Sequence, residues 1–132
     1  MPSECITRWH EFVATSDLEQ LDNLLSEDVV FYSPVVHTPQ RGKSITAKYL
    51  AAAMEVLVND SWQYVSETSN DHQAVLEFVT EIDGIEINGV DIISWNEQNL
   101  IVEFKVLVRP LQAINLVHEK MAERLTGRRK AQ

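Results

Sequence analysis

The chain begins with apolar positions at helical spacing. In ECITRWHEFVAT (4–15), apolar residues recur every three to four positions, which predicts an amphipathic helix. Its inward residues are Ile6, Trp9, Phe12 and Val13. A second short helix is predicted for DLEQLDNLL (17–25), with Ser16 as its N-cap. Its apolar stripe consists of Leu18, Leu21, Leu24 and Leu25.

Two further helical patterns occur later in the chain. KSITAKYLAAAMEVLV (43–58) follows Gly42, is rich in alanine, and predicts a third helix with Ile45, Tyr49 and Leu57 on its inward side. A final helix is predicted from Pro110, in its first turn, to Gly127 at its end. Its inward residues are Leu111, Ile114, Val117, Met121 and Leu125.

The other periodic segments read as strands. DVVFYS (28–33) is β-branched and aromatic, and it ends before Pro34, after which VVHTPQRG (35–42) is predicted to be a loop around His37. Four more strands are separated by the turn sequences SND, DG and NEQN. They are SWQYVSETS (61–69), HQAVLEFVTEID (72–83), IEINGVDIISWNE (85–97) and LIVEFKVLVR (100–109). An antiparallel meander with helices gathered on one side is an α+β fold.

Alternation along these strands predicts which side chains meet the helices. On the inward face we expect Leu76, Phe78, Thr80, Ile82, Val102, Phe104, Val106 and Val108. On the outward face we expect Glu77, Glu81, Glu103, Lys105, Leu107 and Arg109.

In GVDIISW (89–95) the alternation leaves two choices open. Either Asp91, Ile93 and Trp95 face inward, or Val90, Ile92 and Ser94 do, and both sets are half apolar. Strands disfavour aspartate, and burying a carboxylate without partners costs roughly several kcal/mol. An inward Asp91 would therefore indicate a functional group, whereas an outward one would be an ordinary solvated acid.

Composition limits the class of protein. A chain of 132 residues that is 45% hydrophobic predicts one domain, which we place at 1–126, followed by a disordered basic tail at 127–132. The net charge of −9 argues against nucleic acid or an anionic membrane as a partner. Cys5 is the single cysteine, and we find neither a signal-peptide pattern nor an apolar run of about 20 residues, so a cytoplasmic location is expected.

Motifs for cofactors and metals do not occur in the sequence. There is no HExxH, GxGxxG, P-loop or GxSxG pattern, and His10, His72 and His118 are scattered. We therefore predict no cofactor and no metal site.

The segment SDLEQLDNLLSEDVVFYSPVVHTPQRGKSITAKYL (16–50) resembles the NTF2-like superfamily, in particular its SnoaL-like and ketosteroid isomerase-like branches. The shared pattern is a leucine-rich helix, an acidic turn, a strand ending before proline, and a glycine opening the next helix. With the order of the elements, the resemblance covers most of the chain. It implies a cone in which a curved antiparallel sheet wraps around helices and encloses a cavity. The fold hosts isomerases, dehydratases, epoxide hydrolases, cyclases and non-catalytic adaptors, so the likeness is weakly specific for function.

The stretch from Asp91 to Asn96 is similar to a strand of ketosteroid isomerase. In that enzyme the matching aspartate lies in an apolar cavity and stays protonated, so that it donates a hydrogen bond to a developing oxyanion. The resemblance therefore implies an inward, neutral Asp91. It also places Trp9 where that enzyme has a tyrosine donor, although an indole N–H donates without delivering a proton, and Trp9 is equally well a core residue. Tyr49 matches a cavity aromatic and is likewise a plausible core residue.

The chain departs from that enzyme at Ser33, where the enzyme has its proton-abstracting aspartate. Steroid isomerisation by that route is therefore not expected, because serine without an adjacent base does not shuttle protons at neutral pH. His37, in the following loop, is the other acid–base candidate, or else an exposed loop residue.

The predicted function is binding of a small apolar molecule in a mostly apolar pocket, with Asp91 as a buried hydrogen-bond donor. One form of it is an isomerase, cyclase or hydrolase type of enzyme acting on a hydrophobic, oxygen-bearing substrate, with Asp91 and His37 as catalytic residues. The alternative is a non-catalytic ligand-binding or protein-association module. The ligand-binding residues would be Trp9, Phe31, Ser33, Tyr49, Phe78, Ile93, Trp95, Phe104, Val106 and Val108. The resemblance also implies a homodimer through the outer face of the sheet.

Overall fold

The structure, a computed structural model, describes residues 3–126. The helices are α1 (Glu4–Thr15), α2 (Leu18–Leu24), α3 (Lys43–Leu57) and α4 (Leu111–Thr126). The strands are β1 (Leu25–Tyr32), β2 (Gln40–Arg41), β3 (Gln63–Ser69), β4 (Gln73–Ile82), β5 (Ile85–Trp95) and β6 (Ile101–Arg109). The predicted order of elements is confirmed, with the short β2 added inside the predicted loop. Gly127 and the predicted basic tail lie outside the described residues.

The strands form one curved, open sheet in the order β2-β1-β6-β5-β4-β3. β3 to β6 are an antiparallel meander, as predicted, and a two-residue turn at Asp83 and Gly84, both with positive φ, joins β4 to β5. β1 runs parallel to β6, with Phe31 opposite Phe104. The sheet is therefore mixed, and the early part of the chain is joined to its last strand.

The sheet buries most of the face that alternation predicts. The exception is Val102, which was expected to face inward: an irregularity in the pairing of β5 with β6 buries Ile101 in its place. Leu76, Phe78 and Thr80 on β4, and Phe104 and Val106 on β6, are buried against the helices. On β5 the inward set is the one that contains Asp91, Ile93 and Trp95, and Asp91 is only 4% exposed. The choice that alternation left open is thus settled in favour of a buried acid.

The junction between α1 and α2 differs from the prediction. Ser16 ends α1 in a left-handed conformation (φ 58°), and its N–H bonds to the carbonyl oxygen of Phe12 at 2.7 Å. Asp17 is the N-cap of α2, where its side chain accepts a hydrogen bond from the N–H of Glu19 at 3.0 Å. The assignment of the cap to Ser16 was therefore wrong by one residue, since a residue that closes one helix is not free to open the next.

Several predicted inward residues lie at the edge of the core. Leu18 is 59% exposed and Leu111 is 70% exposed, and each is the first residue of its helix, where the first turn extends past the packed layer. Ile45 and Tyr49 are only half-buried. The buried positions of α3 with helical spacing are instead Thr46, Leu50, Met54 and Leu57. The predicted face of α3 was thus rotated by about one residue.

The core lies between the inner face of the sheet and the helices. Trp9 and Phe12 of α1 pack with Phe104 of β6, with the Trp9 and Phe104 ring centroids 4.8 Å apart. Ser3 begins α1 by accepting a hydrogen bond from the N–H of Ile6 at 3.0 Å. Within residues 3–126, no helix is both long and apolar enough to cross a lipid bilayer.

Candidate functional site

The buried carboxyl group of Asp91 is held by a tyrosine from a strand two places away in the sheet. Tyr64 on β3 donates its hydroxyl proton to Oδ2 of Asp91, with 2.6 Å between the oxygens. Its ring reaches across β4, where Tyr64 is paired with Phe78. This hydrogen bond supplies the partner that a buried acid requires.

A tryptophan from the first helix completes a chain of hydrogen bonds. Nε1 of Trp9 donates to the hydroxyl oxygen of Tyr64 at 2.9 Å. Trp9 is fully buried. The Trp9 N–H therefore donates to Tyr64 and is not available to hold an oxygen atom of a ligand.

The chain of hydrogen bonds approaches the protein surface beside Tyr64. The rings of His10 and Tyr64 meet edge to face with centroids 5.4 Å apart. Nε2 of His10 lies 2.9 Å from Oε1 of Glu67, and both of these side chains are partly exposed.

The electrostatics follow from this burial. Burial raises the pKa of Asp91 to about 7, and the hydrogen bond from Tyr64 opposes part of the rise because it stabilises the carboxylate. Burial and the neighbouring Asp91 charge raise the pKa of Tyr64 well above its usual range. Around neutral pH the Tyr64 hydroxyl therefore stays protonated, while Asp91 exchanges between its neutral and charged forms.

A glycine on the strand of Asp91 makes room for this arrangement. A Cβ at Gly89 would lie 2.5 Å from Cζ of Phe78 and 2.6 Å from the carbonyl oxygen of Leu107. The Phe78 ring therefore occupies the space that a side chain at position 89 would take. That ring stacks on Trp62, with centroids 4.7 Å apart and planes at 25°.

Asp91 lines a small, almost entirely apolar cavity between the sheet, α3 and α4. The cavity measures about 20 Å³, which is room for about one water molecule. The wall is made of Phe31, Ser33, Pro34, Val35, Leu50, Ala53, Met54, Leu57, Trp62, Asp91, Phe104, Val106, Val108, Val117 and Met121. Typical ligand pockets have roughly 300–1,000 Å³, so the site as observed is closed.

An open groove of about 530 Å³ lies on the other side of the loop that follows β1. Ser33, Pro34 and Val35 line both the groove and the cavity. The loop begins with a tight turn, in which the N–H of Val35 donates to Oγ of Ser33 at 3.1 Å. The loop is therefore the wall between the buried cavity and the groove.

The predicted site residues divide into two groups. Asp91, Phe31, Ser33, Phe104, Val106 and Val108 are brought together around the cavity. Trp9, Phe78, Ile93 and Trp95 are buried without lining it, and Tyr49 is half-buried against Phe31. His37 is exposed and lines the outer groove, not the cavity.

The sequence reasoning missed Tyr64, together with Trp62 and the methionines Met54 and Met121 of the wall. Tyr64 lies in a strand whose remaining residues are exposed, so the pattern gives it no weight. One signal was available. A buried acid needs a donor, and Trp62 and Tyr64 are the large aromatic residues of the neighbouring SWQYVSETS segment.

Side chains that could bind a metal ion together are not clustered in the described residues. Among residues 3–126, no group of three or more His, Cys, Asp or Glu side chains lies close enough to hold an ion.

The comparison with known families agrees with this geometry. The SnoaL-like domain family matches residues 6–104, which is most of the chain. The chain belongs to the SnoaL-like domain family. Its NTF2-like, ketosteroid isomerase-like fold is thereby confirmed.

Solved structures extend the comparison of this SnoaL-like chain. A steroid delta-isomerase from Pseudomonas aeruginosa is 30% identical, with a TM-score of 0.87 over 93% of this chain and 90% of that one. An uncharacterised protein with a cystatin-like fold from Silicibacter pomeroyi is 28% identical, with a TM-score of 0.86 over 93% and 86%. An NTF2-like protein of unknown function from Mesorhizobium loti is 17% identical, with a TM-score of 0.69 over 81% and 89%, and shows the fold alone. A search of curated proteins gave no match.

Proposed function

We propose that this SnoaL-like protein binds a small, mostly apolar molecule in the cavity and holds an oxygen atom of that molecule against Asp91. The observation that carries the proposal is a protonatable carboxyl group set in an apolar wall, with only one of its two oxygens occupied by a protein donor. A carbonyl or hydroxyl group of a ligand would satisfy the other oxygen. The remaining wall offers apolar contact, which suits a hydrophobic ligand.

Binding requires the closed cavity to enlarge. Two methionines in the wall, Met54 and Met121, have flexible side chains that repack readily. Displacement of Ser33–Val35 would join the cavity to the outer groove, because these residues line both. A ligand would therefore enter from the groove side and take the space that these side chains now fill.

Proton-transfer chemistry is the enzymatic form of this proposal. With a pKa of about 7, Asp91 is present both as an acid and as a base near neutral pH. The charged form would take a proton from a carbon atom next to a ligand carbonyl, and the neutral form would return it. His37 is exposed in the outer groove, and position 33 is a serine. Neither provides a second acid–base group beside Asp91 in the cavity, which favours ligand binding over catalysis that needs two such groups. The name of the 30%-identical neighbour supports steroid-like apolar ketones as the first compounds to test.

The decisive experiment separates binding from catalysis. Apolar cyclic ketones are incubated with the protein in D₂O, and NMR follows both binding and deuterium uptake at the carbon atoms next to the carbonyl. Asp91→Asn keeps a hydrogen-bond donor but does not shuttle a proton, whereas Asp91→Ala loses both functions. We expect binding to survive in Asp91→Asn and to fall about tenfold or more in Asp91→Ala, the loss of one good hydrogen bond.

The outcomes of this experiment distinguish the two functions. Deuterium uptake that disappears in Asp91→Asn indicates an enzyme, and binding without uptake indicates a ligand-binding module. Glu86→Gln, an exposed carboxylate on the same strand, is the matched control. If no ketone binds to the wild-type protein, or if all three variants bind equally well, the proposal is wrong.

A protein-association module is the second candidate. It is favoured by the small volume of the cavity and by the apolar residues exposed on the outer face of the sheet, Val65, Val75 and Leu107. The charged residues of that face carry both signs, so a second copy of the chain is the proposed partner. They are Glu77, Glu81, Glu103, Lys105 and Arg109.

A further inference from the structure

We propose that Tyr64, fixed in direction by Trp9, is a positioning residue that confines the proton of Asp91 to Oδ1, the oxygen left for a ligand. Only the part of this inference that concerns a ligand rests on the proposed function. The positions of the protons themselves follow from the hydrogen-bond chain, and they are testable without any ligand.

The direction of the chain is set by its first member. An indole nitrogen donates and never accepts, so the Tyr64 oxygen must be the acceptor in the 2.9 Å contact with Trp9. Trp9 is fully enclosed, so water does not compete for its N–H. The hydroxyl of Tyr64 has a single proton, and its other polar contact is Oδ2 of Asp91 at 2.6 Å. That proton therefore lies between Tyr64 and Asp91.

As a consequence, the two carboxyl oxygens of Asp91 have different hydrogen-bonding roles. Oδ2 accepts from Tyr64 whether Asp91 is neutral or charged. Because a carboxylic acid accepts a hydrogen bond more strongly through its carbonyl oxygen than through its hydroxyl oxygen, this bond favours the acid proton on the other oxygen. Oδ1 makes no hydrogen bond within residues 3–126, and it is not among the fully enclosed unpartnered atoms of that range. When Asp91 is neutral, its proton is therefore carried on Oδ1.

The protonation state of Oδ1 determines which ligand groups Asp91 can bind. A neutral Asp91 offers an O–H, which suits ligands that only accept, such as ketones. A charged Asp91 offers an acceptor oxygen in an aromatic and apolar wall, which suits donors such as an ammonium group. The preference therefore reverses with the protonation of Asp91, and Tyr64 helps to set the pH of the reversal.

Few other titratable groups face this pair. Tyr64 is the one titratable side chain of the described residues that perturbs Asp91. Tyr64 in turn lies near Glu67 on β3 and near the His10 ring on α1. A change in the titration of Asp91 is therefore traceable to Tyr64, provided that His10 and Glu67 are controlled.

The test is a carbon-13 NMR titration of the Asp91 carboxyl group in the wild type and in Tyr64→Phe. Loss of the donor removes stabilisation of the carboxylate, so the Asp91 pKa should rise by about 1 to 2. Tyr49→Phe, a half-buried tyrosine packed on Phe31, and His10→Gln are controls that should leave the pKa unchanged. An unchanged Asp91 pKa in folded Tyr64→Phe would overturn the proposal.

A second measurement keeps the shape of Tyr64. With Tyr32 and Tyr49 replaced by phenylalanine, Tyr64 is the last of three tyrosines, and 3-fluorotyrosine can be incorporated at that position alone. Fluorination makes the phenol a stronger donor, so the Asp91 pKa should fall relative to the unfluorinated protein of the same background. A rise or no change would contradict the positioning role, even if Tyr64→Phe did not fold.

A matched pair of probes tests the selection of ligands. Cyclohexanone should bind more tightly at about pH 5.5, below the Asp91 pKa, than at about pH 8.5, above it. Cyclohexylammonium should show the reverse preference. In Tyr64→Phe the pH at which each affinity changes should be higher for both probes. Failure of both probes to bind, together with a shifted Asp91 titration, would count against the proposed function while supporting the positioning role of Tyr64. Binding of both probes without any pH dependence would overturn the selection by Asp91.

Discussion

Tyr64 and Asp91, 27 positions apart in the chain, are joined by a 2.6 Å hydrogen bond between the phenol and the carboxyl group. The bond links β3 to β5 across the intervening β4. Because Tyr64 also accepts from Trp9 of α1, three separate elements determine how one acid is presented. The chemistry of the site thus depends as much on residues that do not line the cavity as on those that do.

Asp91 should make the stability of the protein depend on pH. The pKa of Asp91 is about 7 in the folded protein, against an ordinary value of 3.8, so the folded state holds the proton more tightly. The stabilisation is therefore complete below about pH 4 and is lost as the pH rises through 7. Relative to Asp91→Asn, the wild type should lose about 4 kcal/mol of unfolding free energy across this window. Urea unfolding at several pH values measures this difference, and a difference that does not change with pH would contradict the assigned burial.

Gly89→Ala should destabilise the protein because residue 89 packs against Phe78, beside Asp91. The new Cβ would meet the Phe78 ring and the backbone carbonyl of Leu107 at under 3 Å, and the backbone is not free to move away. We expect a loss of about 1–3 kcal/mol or more, the usual cost of overpacking. Gly84→Asn is the control, because nothing lies within 4 Å of a Cβ there and asparagine tolerates positive φ. Equal stability of the two variants in urea would show that the Phe78 contact is loose.

Ser33→Asp should add a second acid to the cavity wall. Aspartate retains an oxygen that accepts from the N–H of Val35, so the turn should persist. Because Ser33 and Asp91 line the same cavity, a base and a donor would then face one ligand. We expect deuterium uptake by a bound cyclic ketone to increase about 100-fold or more, the usual range for a positioned base. Ser33→Asn is the control, and equal uptake by both variants would argue against a ligand position between the two residues.

The outer face of the sheet is proposed to pair two copies of the chain. Leu107 is 48% exposed in the centre of that face, on β6. Leu107→Glu should therefore convert a dimer into a monomer, because it places a charge in the apolar centre of a self-complementary contact. Light scattering gives the mass. Leu111→Glu, at a leucine that is more exposed than Leu107 but lies outside the sheet, is the control. A wild-type mass equal to one chain would dismiss the dimer.

Much of the fold was accessible from the sequence because period-two alternation is strong in its second half. LEFVT and FKVLV alternate so regularly that the buried faces of β4, and of β6 from Phe104 onward, are found where they were expected. The burial of the first residues of the helices was harder to predict. Whether Leu18 and Leu111 are covered depends on how far the neighbouring layer extends, and a helical pattern does not contain that information.

The site was only half accessible from the sequence, for a related reason. Alternation left the direction of Asp91 open, and the family resemblance was needed to favour the inward position. Tyr64 was not found, because its role depends on the register that places β3 beside β4 and β4 beside β5. The volume of the cavity arises from the packing of side chains on five strands and helices at once, so no local pattern predicts it.

The parallel pairing of β1 with β6 has a consequence for synthesis on the ribosome. Phe31 acquires its neighbour Phe104 only after most of the polypeptide has been translated. Until then the nascent N-terminal region exposes an unpaired hydrophobic strand edge, which attracts chaperones and aggregation partners. Truncation anywhere before β6 should therefore leave a protein that accumulates in inclusion bodies, not a smaller functional fragment.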